Sequence, residues 1–161
     1  MTYLVPVNKR KDYLPFLLLA DENEAIIMEY INEGEMYAVK DQKNVIGVCL
    51  FTFPDTDVAE IKNIALTKAQ QGKGIGKAVI QEAFHLFKKR GYSRIFVGTA
   101  NSSLANLSFY QKAGFRFDTV RKDFFLNYPH PIYENGIQAL DMVVFSKDLI
   151  EGDGKDEKET V

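Results

Sequence analysis

Among its 161 residues the chain has no tryptophan, one cysteine and two histidines. The single cysteine excludes an internal disulfide. Cys49 stands in the apolar run Val45-Ile46-Gly47-Val48-Cys49-Leu50-Phe51, where a buried, inert thiol is expected rather than a nucleophile. His85 and His130 have no cysteine or carboxylate companions at metal-ligand spacing, so no metal is implied. No apolar segment is long enough to span a bilayer, and no basic, apolar and small-residue sequence of a leader opens the chain, so a cytoplasmic protein is expected. The formal net charge is −2 and no dense basic stretch occurs, which argues against nucleic acid or an anionic membrane as a partner.

Hydrophobic residues make up 46% and charged residues 26%, enough for one domain with a real core, assigned to residues 1–149. Twelve Phe and eight Tyr make that core aromatic-rich. Residues 150–161 alternate acid, Lys and Gly and read as a disordered acidic tail.

Periodicity orders the rest. A strand over 1–6 is followed by helical segments over 12–19 and 22–32, the second ended by Gly34. Strand-like runs follow over 36–40, 45–53 and 58–66, with links short enough for an antiparallel meander. A long amphipathic helix covers 74–90, with Gly91 suited to its left-handed cap. Then come a strand over 94–99, a helix capped by Ser102 or Ser103 and running to Ala113, and strands over 115–125 and 138–146. Residues 126–136, with two prolines, read as an irregular loop. This order predicts a mixed α/β sheet with helices on both faces.

The most informative stretch is Gln71-Gly72-Lys73-Gly74-Ile75-Gly76-Lys77, a glycine-rich turn between a strand and a helix. Glycines let the backbone approach an anion, and the free N–H groups of a helix start point at it. Two phosphate motifs fail here. A P-loop needs Gly where Gln71 stands and Ser or Thr where Ala78 stands; a dinucleotide fingerprint needs Gly where Lys77 stands.

What fits is Gln-x-x-Gly-x-Gly, formed by Gln71, Gly74 and Gly76. It resembles the pyrophosphate-binding motif of the GNAT superfamily of acetyl-CoA-dependent N-acetyltransferases. The segment Asn106-Leu107-Ser108-Phe109-Tyr110-Gln111-Lys112-Ala113-Gly114-Phe115 resembles the second signature of that family, a helix ending in Tyr-x-x-x-Gly-Phe. The resemblance covers roughly residues 3–147. It implies a mostly antiparallel seven-stranded sheet in which the strand ending at Leu66 splays from a parallel neighbour. The cosubstrate would be acetyl-CoA, with no metal.

The resemblance also implies roles. The pantetheine arm would pair with the backbone of Ile64 and Leu66, the diphosphate would rest on the N–H groups from Gln71 to Lys77, and an N–H near Ala65 or Leu66 would polarise the thioester. Tyr110 matches the general acid for the departing thiolate. The base is Glu60 or a water chain; Gly98 stands where some relatives carry an acid. Ser103 occupies the place of a CoA-contacting Asn, for which Asn101 or Asn106 would substitute.

The loop Tyr128-Pro129-His130-Pro131-Ile132-Tyr133-Glu134-Asn135-Gly136 resembles that of aminoglycoside 6′-N-acetyltransferase-like small-molecule enzymes. With Glu22, Glu24, Glu29, Glu33 and Glu35 it suits a cationic amine through charge pairing and cation–π contact. Three readings stay open: acetylation of a small amine, acetylation of a protein N-terminus or lysine, and a non-catalytic CoA-binding module. A homodimer is compatible with each.

Overall fold

In the strand Asn44–Asp55 successive side chains enter opposite layers, Cys49 and Phe51 one and Val48 and Leu50 the other. That alternation is the geometry of a strand covered on both faces. The computed structural model describes residues 2–150. Its strands and helices in chain order are β1 (Thr2–Pro6), α1 (Leu14–Ala20), α2 (Glu24–Tyr30), β2 (Glu35–Asp41), β3 (Asn44–Asp55), β4 (Val58–Leu66) and α3 (Ile75–Lys89), then β5 (Arg94–Ala100), α4 (Leu104–Lys112), β6 (Arg116–Arg121), β7 (Tyr133–Glu134), β8 (Ile137–Gln138) and β9 (Met142–Asp148).

Seven strands form one sheet in the order β1-β2-β3-β4-β5-β9-β6. The β4–β5 pair is parallel and every other neighbouring pair is antiparallel. One face carries α3 and α4, through Val79, Ile80, Ala83, Phe84, Phe87 and Tyr110. Burial of such side chains contributes on the order of 10 kcal/mol before conformational entropy is charged against it. The other face carries α1 and α2, through Leu17, Ile27 and Tyr30. The expected seven-stranded mixed sheet with helices on both faces is the observed one. Among the described residues no helix is long and apolar enough to cross a membrane.

Boundaries differ where local chemistry competes with periodicity. The first helix starts at Leu14, after a 3-10 turn over Arg10–Tyr13, because Pro15 fits only its first turn. The strand expected over 115–125 stops at Arg121, and Phe124–Asn127 is a 3-10 turn. The strand expected over 138–146 is in fact two pieces, β8 and β9. β8 pairs with β7 across Asn135-Gly136, both at positive φ (55° and 74°), which is the two-residue turn that this dipeptide favours. Of the tail expected over 150–161, residues 151–161 lie outside the described residues.

Candidate active site

The site begins with one extra residue. Along β3 and β4, Phe51 faces Ile61 but Leu50 faces Asn63, so Lys62 is a β-bulge. A bulge bends its strand. The parallel pairing with β5 runs from Val58/Arg94 to Ile61/Val97 and ends there. Beyond the bulge the two strands separate, and the gap between them is a cleft of about 830 Å³ that crosses the sheet.

The ladder also dictates which backbone groups face that gap. Thr67 N–H donates to Ile46 O at 2.9 Å, opposite it in the register. Antiparallel pairs alternate, so Ala65 turns its N–H and C=O toward β3 while Ile64 and Leu66 turn theirs away from it, into the gap. Of the two amides expected near a thioester, that of Leu66 is the one so directed.

On the α3 side the cleft is closed by the glycine turn. Gln71 Nε2 donates to Leu66 O at 3.1 Å and ties the turn to the strand end. Gly74 is the N-cap of α3 at φ +80°, a left-handed conformation that disfavours any side chain, and a Cβ built there would enter open space. Ala78 N–H is the first to bond within the helix, to Gly74 O at 3.1 Å. The amides from Gly74 to Lys77 precede it with no side-chain cap and no acidic residue in the first turn. Such an uncapped, cation-flanked helix start fits a diphosphate. Gly76 has a packing reason as well: a Cβ there would lie 3.0 Å from the Phe109 ring on α4.

The opposite wall is the end of β5 and α4. Tyr110 lines the cleft, yet only 5% of its surface is exposed. Burial pushes its phenol well above the ordinary tyrosine range, with nearby Cys49 adding to the effect. The group stays protonated at neutral pH. A Cβ on Gly98 would meet Met142 Sδ at 2.3 Å, so a side chain at that position of β5, acidic or otherwise, requires the Met142 side chain to move aside.

On the α1–α2 face the cleft is polar and aromatic. Asp21 and Glu22, just after α1, line it together with Asn63, Phe125 and Tyr128. Asp21 Oδ2 accepts from Tyr30 Oη at 3.1 Å, and its two carboxylate oxygens accept from Tyr128 Oη at 3.3 and 3.4 Å. Burial first, and then Asp21, raise the Tyr128 phenol above its usual range. The cleft thus joins uncapped helix-start amides on one face of the sheet to a carboxylate-lined opening on the other.

Comparison with known proteins decides the family. The model of the acetyltransferase (GNAT) family matches residues 7–115, more than half of the chain. The chain belongs to the GNAT family. The N-acetyltransferase YvbK of Bacillus subtilis, itself uncharacterized, is 42% identical over 134 residues, 83% of this chain and 86% of that protein. A GNAT family acetyltransferase from Elizabethkingia anophelis, solved with acetyl-CoA bound, superposes with a TM-score of 0.84 at 36% identity, covering 91% of this chain and 97% of that one. A Bacillus subtilis acetyltransferase in complex with CoA superposes with a TM-score of 0.83 at 39% identity, covering 92% and 98%.

The GNAT cleft gathers most of the residues expected from sequence, but not all. Ile64, Ala65, Leu66, Gln71, Gly72, Gly74, Gly76, Lys77, Ser103, Asn106 and Tyr110 line it; Lys73, Ile75, Asn101 and Glu60 do not. Asn101 is spent on structure: its Oδ1 accepts from Leu140 and Asp141 N–H, and its Nδ2 donates to Gln138 O. Ser103 Oγ donates to Glu134, and Asn106 Nδ2 to Thr99 Oγ1 at 3.3 Å. Glu60 accepts from Thr52 Oγ1 at 3.0 Å, at the end of β4 still paired with β5. Sequence reasoning missed Asp21, Tyr30 and Asn63. Only Asn63 carried a signal, an amide in the alternating series Ala59, Ile61, Asn63 and Ala65, whose other members are apolar.

Proposed function

We propose that this protein transfers the acetyl group of acetyl-CoA to a primary amine of a small, cationic acceptor. The observation that carries the reading is the cleft itself, with free helix-start amides on one face, Asp21 and Glu22 on the other, and Tyr110 lining it. Gln71 N–H is taken by Lys68 O at 3.3 Å, so amides from Gly72 to Lys77 would hold the diphosphate, and the exposed backbone of Ile64 and Leu66 would pair with the pantetheine arm as an added strand. Leu66 N–H would polarise the thioester carbonyl, worth on the order of 3 kcal/mol if well placed.

In this reading the neutral amine attacks the acyl carbon, the C–S bond breaks, and Tyr110 gives its proton to the thiolate. The amine's proton leaves through water. Glu60, held by Thr52 off the cleft wall, would take it only at the end of such a chain. Asp21 and Glu22 beside Phe125 and Tyr128 supply the charge and ring faces that favour a cationic acceptor.

Thiol release measured with polyamines, aminosugars including aminoglycosides, amino-acid-like amines and N-terminal peptides tests the reading. Turnover confined to peptides would move the acceptor to a protein. Acetyl-CoA binding without thiol release on any acceptor would leave a CoA-binding module.

A further inference from the structure

Asn63 is 4% exposed and lines the cleft, and its Oδ1 is the buried side-chain polar atom without a hydrogen-bond partner among the described residues. Its other half is fully used. Nδ2 donates to Leu17 O at 3.1 Å and to Tyr30 Oη at 3.0 Å, and Tyr30 Oη donates in turn to Asp21 Oδ2. An amide rotated by half a turn would set Oδ1 against the Leu17 carbonyl, so this orientation is the one the surroundings allow. The chain from carboxylate through phenol to amide also polarises Oδ1, because linked hydrogen bonds strengthen one another. A buried acceptor left unpaired carries a desolvation cost that is relieved when a ligand brings a donor.

The position says which ligand. Asn63 bonds to α1 and α2, on the face opposite the glycine turn, next to the point where β4 leaves β5. Resting on the function proposed above, we infer that Asn63 Oδ1 accepts one N–H of the attacking nitrogen and so selects primary amines over N-alkylated ones. A neutral primary amine has two hydrogens: one bonds Asn63 and fixes the direction of the lone pair, and the other is free to leave as the adduct collapses. A secondary amine has a single hydrogen and cannot do both.

The test compares kcat/KM for an amine that the wild type acetylates with that for its N-methyl analogue. It uses the full chain, Asn63→Leu, which keeps volume without polarity, and Tyr30→Phe, which keeps the ring and removes the link to Asp21. Asn63→Leu is expected to lower kcat/KM for the primary amine about 10-fold or more, and the primary-to-methylated ratio by a similar factor. Acetyl-CoA affinity by calorimetry should not change. Tyr30→Phe is expected to act in the same direction by about 3-fold, and it stands in if the leucine variant does not fold. An unchanged ratio in a folded variant that still acetylates amines overturns the role of Asn63 and leaves the function standing. A wild type that binds acetyl-CoA but acetylates no amine overturns both.

Discussion

Ser103 Oγ donates to Glu134 Oε1 at 2.7 Å, joining the first residue before α4 to the hairpin that borders the cleft. Ser102 Oγ reaches the same oxygen at 3.1 Å, and Asn135 Nδ2 donates to Ser102 O at 3.0 Å. The hairpin is thereby latched to the helix that carries Tyr110. Glu134→Ala is expected to raise the KM for the amine about 3- to 10-fold by freeing this edge of the cleft. Glu134→Gln, which keeps an acceptor oxygen, should recover most of the loss. Steady-state kinetics of the two variants decide it, and equal effects would remove the latch.

Gly74 and Gly91 form a matched pair at the two ends of α3. Both have φ near +80°, and a Cβ at either would meet nothing within 4 Å. Alanine at either site should cost about 1 kcal/mol of folding stability through the left-handed conformation alone. Gly74→Asp should in addition lower acetyl-CoA affinity at least about 10-fold, since it sets a carboxylate before the helix-start amides. Gly91→Asp, at the far end of α3, should leave it unchanged. Calorimetry showing equal affinities would count against the diphosphate site.

Tyr110→Phe preserves the packing of the ring against Phe115 and Phe145 while removing the hydroxyl that the proposed function uses as proton donor. The expected result is a kcat about 100-fold lower with the CoA affinity retained. Because burial raises this phenol, wild-type activity should show no loss from its ionisation below about pH 10. A kcat unchanged by the substitution would take Tyr110 out of the chemistry.

Cys49 gives the fold an alkaline weakness. Complete burial holds its thiol well above the usual thiol range, whereas in the unfolded chain it ionises normally. Above about pH 9 the unfolded state therefore binds fewer protons than the folded one, and stability falls with rising pH, by up to about 1.4 kcal/mol per pH unit. Cys49→Ala should delay this decline until the raised tyrosines begin to contribute, near pH 10. Urea unfolding between pH 7 and 11 measures both curves, and coincident slopes would remove the thiol as the cause.

Two halves of the cleft were unequally visible in the sequence. The glycine turn and Tyr110 belong to short contiguous motifs, in which residue type and spacing already specify a helix start and a helix end. Asn135-Gly136 carried a hairpin signal too, masked by the neighbouring prolines, and Gln138 was joined to the wrong strand as a result. Ser103, Asn101 and Asn106 are alternatives for one cosubstrate contact in the sequence, which carries no sign of the bonds that Ser103 and Asn101 make to residues 31 to 40 positions away.

By itself the sequence determined most of the elements, the two-faced sheet, the glycine turn before α3 and the protein family, because each depends on local periodicity or a compact motif. Only the tertiary structure decided what lines the cleft opposite the glycine turn. The bulge at Lys62 appears when β4 is laid against β3, and the Leu17–Asn63–Tyr30–Asp21 chain joins residues up to 46 positions apart. Such contacts depend on sheet register and helix packing, which no run of neighbouring residues encodes.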